Sequence, residues 1–406
     1  MANDGTRISE SIEFLTSIIK SWDGTEQRSS VRPLPRRMLS YDYIGVNGWQ
    51  SQYLRALAYA QQTQLFQIPV WHSASTSQDA IFSSANSFRI AKESIWGWRG
   101  ATHAMVWLSD GFGGDVYGIN TIGGDGGVSL LKTIPQDWEA GKAVLCPVVW
   151  GVLKNEDKFT ITTSEYSELT LNVEIVRETY APALPASHNE YHDEAVKKPF
   201  CNGLPQTYQG IELFTTSPSW ADAVSSDFTR NAYRLDNSTG PFVYDLRGPN
   251  PTEKKELPFV LKTRQEINNF QRFFYRMKGR LHSFYAPTWL NDIELAHDAP
   301  NGQAYLLAKF PMYWKYFTNT SRRKTLVIFK RDNTAEIVKV GGYSTSDDGE
   351  LGKVWLDSPL KKPLNMKDVW RISYLSKYRF DNDSMVMDYA TPTVGTTSMP
   401  FVEVTN

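Results

Sequence analysis

The chain has 406 residues, with 43 Lys plus Arg against 44 Asp plus Glu, and 41% of it is hydrophobic. At about 100–200 residues per domain, this length accommodates two to four domains. Such a near-neutral, apolar-rich chain is not disordered. It also gives no bulk reason to bind nucleic acid or an anionic membrane. Its two cysteines, Cys146 and Cys201, are too few for a disulfide framework or four zinc thiolates. The opening MANDGTRISESIEF lacks the basic-then-apolar build of a secretory signal. No stretch approaches the ~18–20 uninterrupted apolar residues of a membrane span. The expected compartment is reducing and cytosolic.

The first predicted elements lie in SIEFLTSIIKSW (11–22) and in MLSYDY, with Arg32 and the pair Arg36-Arg37 ahead of the latter strand. WQSQYLRALAYAQQTQLFQIPVW (49–71) then predicts a short helix, with Tyr53, Leu54, Leu57 and Ala58 on one face. A polar turn and a strand closing on Pro69-x-Trp71 follow, and the proline requires an edge position or a strand end. From about residue 74 to 140 the sequence reads as a small β insertion. Within it, SIWGWRG predicts a strand with Trp96 and Trp98 on one face, as core or interface or, alternatively, as a platform for a sugar ring. The Gly-rich 113–127 lacks the Lys-Ser/Thr of a phosphate loop, and no helix pattern opens after it, so it reads as a hairpin tip. Cys146, in AVLCPVVW, reads as a buried small hydrophobe. Phe159 and Ile161, then Leu169, Leu171, Val173 and Ile175, alternate as in strands buried on one face.

Residues 177–209, with Pro182, Pro185, Pro199 and Pro205 and no apolar periodicity, read as a linker or an extended arm. His188 and His192 stand four apart near Glu190, Asp193 and Glu194. No helical stripe supports a metal pair there, so a solvated segment is expected.

The same order of signals then returns. GIELFTTSPSW (210–220) faces SIEFLTSIIKSW, and Lys254-Lys255 precede ELPFVL. RQEINNFQRFFYRMKGRLHSFYAPTW (264–289) carries a helical stripe of Ile267, Phe270, Phe273, Phe274 and Met277 and closes on Pro287-x-Trp289. A second insertion spans about 292 to 364. It holds YWKYF (313–317), Arg322, Arg323 and Lys324 ahead of a strand, and a hairpin tip with Asp347, Asp348 and Glu350, which lack the regular calcium-loop pattern. The closing strand SMVMDY alternates through Met385 and Met387. Matching blocks in matching order predict a tandem duplication. The expected fold is mainly β (α+β), with two homologous antiparallel β-sandwich or barrel units, residues 1–176 and 210–406. Each carries one short helix and an inserted small β subdomain.

No Gly-x-Ser-x-Gly elbow is present, no Ser/His/Asp set assembles from six histidines, and acidic residues gather at hairpin tips rather than beside tryptophans. The expectation is a protein without catalytic, metal or cofactor sites. The basic residues Arg32, Arg36, Arg37, Lys254, Lys255, Arg322 and Arg323 are the candidate interaction groups, together with Trp96 and Trp98. The basic groups are expected to form a solvated face or a salt-bridged face between subunits, or else, through the basic run from Lys254 to Arg280, a nucleic-acid stripe.

The block Asp23-Gly24-Thr25-Glu26-Gln27-Arg28, then Arg32, Pro35-Arg36-Arg37, Tyr41 and Tyr43, followed by a helix and LFQIPVW, resembles the N-terminal region of distal-tail or tail-tip proteins of long-tailed phages. These have relatives in gene transfer agents. The resemblance covers about 60–90 residues, and the second copy lacks the full DGTEQR block. It implies a structural virion protein at the tail tip, assembled in the host cytoplasm, forming a ring at the distal end of the tail tube with DNA passing through its lumen. The implied partners are the tail tube protein, the tail-tip hub, and the tape-measure protein and receptor-binding or side fibres. Two units per chain imply a trimer with pseudo-six-fold symmetry or a hexamer. The alternative is a carbohydrate- or receptor-binding β module using Trp96 and Trp98, and a glycan hydrolase comes third.

Overall fold

The computed structural model describes residues 8–108, 114–154, 158–163, 165–176, 204–205, 207–221, 223–246, 251–313, 315 and 323–404. Most of the expected linker 177–209 lies outside them, with His188, Glu190, His192, Asp193, Glu194 and Cys201, as does Arg322. The fold is mainly β, with a large antiparallel sheet and few helices.

Strand β1 (Ile8–Glu13) alternates, with Ile8, Glu10 and Ile12 on one side. A hairpin, β2 (Thr16–Lys20) and β3 (Glu26–Ser30), precedes β4 (Arg36–Gly45). Arg36 and Arg37 are therefore inside the strand, not ahead of it. Asn47 caps α1 (Gly48–Ala60), its side chain accepting from the Gln50 N–H at 3.0 Å. The expected stripe is narrower than its spacing suggested: Leu54 is buried and Leu57 and Ala58 are partly so, but Tyr53 faces out. Next comes β5 (Leu65–Pro69), which ends at its proline. An inserted group follows: β6 (Ser75–Thr76), β7 (Ser87–Arg89), β8 (His103–Leu108), β9 (Gly114–Ile122) and β10 (Gly127–Leu130). It has its own core around Phe88, Trp98, Val128, Ile134 and Trp138. Strand β11 (Ala143–Leu153) pairs with β5, β6, β8 and β13, and its central position explains the unbroken apolar run around the buried Cys146. Strands β12 (Lys158–Ile161) and β13 (Ser167–Ile175) close the half, with β13 between β12 and β4.

The second half opens with a short hairpin, β14 (Thr207–Tyr208) and β15 (Ile211–Glu212). Strand β16 (Ser226–Thr229), hairpin β17 (Ala232–Leu235) and β18 (Val243–Leu246), and β19 (Thr252–Leu261) follow. Lys254 and Lys255 lie inside β19 rather than before it. Helix α2 (Arg264–Met277) begins at Thr263, whose hydroxyl accepts from the Glu266 N–H at 3.1 Å, and the Glu266 carboxylate accepts from the Lys262 N–H at 2.7 Å. All five stripe residues are buried, among Phe214, Phe259, Phe284, Phe380 and Phe401. Each large side chain so placed contributes about 1.5–3 kcal/mol. Strand β20 (Phe284–Pro287) again ends at its proline. The second insertion, β21 (Tyr305–Ala308), β22 (Thr325–Lys330), β23 (Ala335–Thr345) and β24 (Gly352–Leu356), has a core of Ile293, Leu306, Leu326, Ile328, Val354 and Ile372. Strands β25 (Val369–Phe380), β26 (Ser384–Thr391) and β27 (Val394–Glu403) end the chain.

The pairing registers of the halves coincide. The two helix caps, Asn47 and Thr263, are 216 positions apart. That shift carries Ile12↔Arg37 of β1–β4 onto Phe228↔Glu253 of β16–β19. It also carries Thr16↔Ser30 of β2–β3 onto Ala232↔Leu246 of β17–β18. A shift of 228, from Ser167 to Gly395, carries Ile161↔Ser167 of β12–β13 onto Tyr389↔Gly395 of β26–β27. In the insertions, the bridge Ile81↔Trp138 answers to Ala299↔Leu364. The counterpart of β1 is thus residues 224–229. The segment 210–220, matched above to 11–22, instead forms β15 and a parallel bridge from Leu213 to Tyr285.

Candidate functional site

The two halves meet along β1. This strand pairs with β4 of its own half through Ile8↔Tyr41 to Glu13↔Arg36, and with β26 of the other through Ile8↔Tyr389 to Glu13↔Ser384. One sheet therefore runs through both halves. Ile8 packs against the helix-bearing core of each half. Ile12 and Phe14 go further and join the core of the second half, where Phe14 meets Phe274 and Tyr275 edge-on with ring centroids 5.7 Å apart.

Period two places Glu10 between Ile8 and Ile12, on the buried side of β1. Its carboxylate collects donors from both halves. One oxygen accepts from Arg37 Nε and from Arg99 Nη2 at 2.7 Å. The other accepts from Gln271 Nε2 at 2.8 Å and from the Tyr389 hydroxyl at 2.9 Å. Burial alone would raise its pKa, but the Arg37 and Arg99 guanidiniums hold it well below the usual carboxylate range. His72 stacks on Tyr389 at 4.3 Å, with Nε2 3.3 Å from Glu10. Burial pushes this imidazole down to about 4 despite the nearby carboxylate, so it is neutral at pH 7. The Arg264 guanidinium donates to the His72 carbonyl, tying the start of α2 to the first half.

Trp96 and Trp98 do not lie on a strand. The segment Lys92–Trp98 winds as 3-10 helix, so the rings diverge. Trp98, 1% exposed, fills the core of the first insertion, edge-on to Phe88. Trp96, 4% exposed, crosses into the core of the second half. Its indole N–H donates to Gln271 at 2.7 Å, Tyr275 meets it edge-on, and the Arg99 and Arg272 guanidiniums lie 4.7 and 5.1 Å from its ring. Asn268 donates to the Glu93 carbonyl. The outward face of α2 (Asn268, Gln271, Tyr275) is thereby covered by the first half.

The DGTEQR block forms the turn and return strand of the β2–β3 hairpin, which lies against the second half. Asp23 accepts from Thr25 N–H at 3.0 Å and shapes the turn. Glu26 pairs with the buried Arg379 at 2.8 and 2.9 Å, and Arg28 donates to Ser283 Oγ at 2.8 Å. At the hairpin base, Asp383 accepts from Thr16 N–H at 2.8 Å and from Arg280 N–H at 2.9 Å.

The expected basic residues do not gather into one stripe. Arg32 reaches Glu13 and the Phe14 carbonyl, and Arg36 reaches Glu174 at 3.5 Å. Lys254 pairs with Asp381 at 2.7 Å. Arg37 and Lys255, expected on a solvated face, are buried: β4 and β19 turn them inward, Arg37 onto Glu10 and Lys255 onto Glu253 at 3.1 Å. Arg323 also approaches Glu253, at 3.5 Å. The acidic tip 347–350 engages Lys353 and Ser346. Among the described residues, no group of three or more His, Cys, Asp and Glu is placed to hold a metal ion, and no helix is long and apolar enough to cross a membrane.

Glu10, His72, Arg99, Gln271 and Tyr389 carry the joint, yet none stood out from the sequence. The signal available was a carboxylate at the inward position of an alternating strand, opposite Arg37 at the inward position of another. No family model matches the chain, and no curated protein matches it.

Proposed function

We propose that the chain is a structural subunit of a phage tail tip. In this reading it forms a ring at the distal end of the tail tube, between the tube and the hub that carries the receptor-binding apparatus, with DNA passing through the lumen. The resemblance of the DGTEQR block and the repeated order of elements support the family. The observation that carries the assembly role is the joint itself. It is heterologous: the β1 edge and β2–β3 hairpin of one unit meet the β26 edge and α2 face of a similar unit. A contact of this kind, repeated between similar units, propagates head to tail and closes into a ring when the rotation permits. Two units in each chain make every second contact internal, so three chains give a pseudo-six-fold ring, and six give a true hexamer.

The carbohydrate-binding alternative loses its residues, because both Trp96 and Trp98 are buried. Native mass measurement of the assembled protein tests the proposal. A closed oligomer of three or six chains is expected. A chain that remains monomeric, alone and with tail tube and hub proteins, refutes it.

A further inference from the structure

The elements that form the internal joint occur a second time in the same register, and among the described residues this second set is not joined: its inserting elements lie in the second half and its receiving elements in the first. In the first half β1 binds β26, the β2–β3 hairpin clasps the second half, and the outer face of α2 is covered. In the second half the counterpart of β1 is β16, which among the described residues pairs only with β19, and all four of its residues are exposed. The counterpart of the clasp is the β17–β18 hairpin, exposed along both strands, with Phe242 51% exposed and Tyr244 54% exposed. Among the described residues the receiving surfaces are uncovered too. Strand β12, counterpart of β26, pairs only with β13 among the described residues. On α1, Tyr59 stands where α2 carries the covered Tyr275 and is 88% exposed.

The geometry points to a second copy of this chain as the occupant: β16 and the β17–β18 hairpin of one copy dock on β12, α1 and the adjoining surface of the first half of the next. This rests on the reading that copies of the chain assemble, and it names the faces that do so. The internal joint also fixes the register. Ser9↔Asp388 of β1–β26 translates to Ser225 of one copy opposite Thr160 of the next. The chemistry at the clasp agrees. Within the chain, Glu26 and Arg28 grip Arg379 and Ser283. The counterparts of the first two are Phe242 and Tyr244; superposing Pro69↔Val148 of β5–β11 on Pro287↔Leu375 of β20–β25 makes those of the last two Val152 and Leu65, which pair across β11 and β5. Leu65 is 55% exposed. Where the internal joint has a polar grip on polar partners, these positions place an apolar grip opposite apolar partners, so the two sides match in character. An exposed apolar hairpin of this kind is poorly stable unless covered.

The test uses the full chain with Cys201→Ser. The pair Ser225→Cys with Thr160→Cys should form chain-to-chain disulfides on oxidation, because directly opposed antiparallel residues lie within disulfide reach. The pair Ser225→Cys with Ile161→Cys, displaced by one residue to the opposite face, should not. In sedimentation velocity, Phe242→Glu with Tyr244→Glu, and separately Leu65→Glu, should each weaken association at least about tenfold. Phe82→Glu, at an exposed site elsewhere, should leave it unchanged. Assembly that survives both sets of glutamates, without the 225–160 cross-link, overturns the interface and leaves the ring reading standing. A wild-type chain that is monomeric throughout removes both.

Discussion

Glu10→Ala is the sharpest perturbation of the joint. Four donors converge on this carboxylate, two of them guanidiniums, and the group is shut off from water. Hydrogen bonds to a charged group contribute ~1.5–3 kcal/mol each, but relaxation recovers part of that when the acceptor is removed. Deleting one member of a buried ion pair costs ~3–5 kcal/mol, because the remaining charge stays buried without a partner. We expect a loss of about 4 kcal/mol, read from the shift of the urea midpoint at constant slope. The orphaned cations are the cause, so Arg37→Met with Arg99→Met in the Glu10→Ala background should restore part of the loss. Hydrogen exchange should accelerate first in β1 and α2, the elements the carboxylate connects. A loss below about 1 kcal/mol, or a triple variant weaker than the single one, would refute the reasoning that Glu10 holds the joint through its charge.

Acidification should loosen the same place. His72 is held down to about 4 against an ordinary value of ~6.5, so its contribution is complete above ~6.5 and lost as pH falls towards 4. At about 1.4 kcal/mol per pH unit this amounts to about 3 kcal/mol, and His72→Gln should flatten the stability profile in that window. Glu10, held well below its ordinary range, acts with the same sign at lower pH. Trp96→Ala and Trp98→Ala should each cost ~3–5 kcal/mol. Hydrogen exchange separates them: the first loosens α2 and β1, the second the insertion strands β7 to β10. Gly126→Ala should destabilise that insertion by ~1–3 kcal/mol, because φ is +90° and an added Cβ would lie 2.3 Å from the Ile90 carbonyl oxygen; thermal melting reads it. Cys146, buried and with its thiol pushed well up by burial, should resist alkylation until the first half unfolds.

The elements with strong periodicity were legible in the sequence. The α2 stripe, the alternation of β13 and β26, and the strand-ending Pro69 and Pro287 are all where spacing puts them. The weaker α1 stripe misled at Tyr53, because helical spacing locates a face without saying how wide its partner surface is. Trp96 and Trp98 misled for a different reason. A strand and a 3-10 turn both accommodate aromatics one residue apart, and only tertiary packing sends the two rings into separate cores. The joint was hardest to see, since its groups come from five distant stretches: Glu10, Arg37, His72 to Arg99, Gln271 and Tyr389. Even the equivalence of the halves hides there. Register places Glu253 where the first half has Arg37, and Ser226 where it has Glu10, so the pairing is kept while the charges are not.

This exchange of chemistry has a physical rationale. Within one chain the two units are tethered, and their effective concentration is high enough to sustain a joint built on buried charge. Buried ion pairs add little net stability, since desolvation offsets most of their attraction. They do demand one geometry: the Glu10 carboxylate is satisfied only when Arg37, Arg99, Gln271 and Tyr389 arrive together. An internal joint of that kind fixes the angle between units. Contacts between separate chains must instead overcome the loss of translational freedom, and apolar burial serves that purpose without a desolvation penalty. The exposed Phe242, Tyr244 and Leu65 occupy positions where the internal joint carries Glu26, Arg28 and Ser283. In the proposed ring, polar residues would set the curvature inside each chain, and apolar residues would supply the affinity that joins one chain to the next.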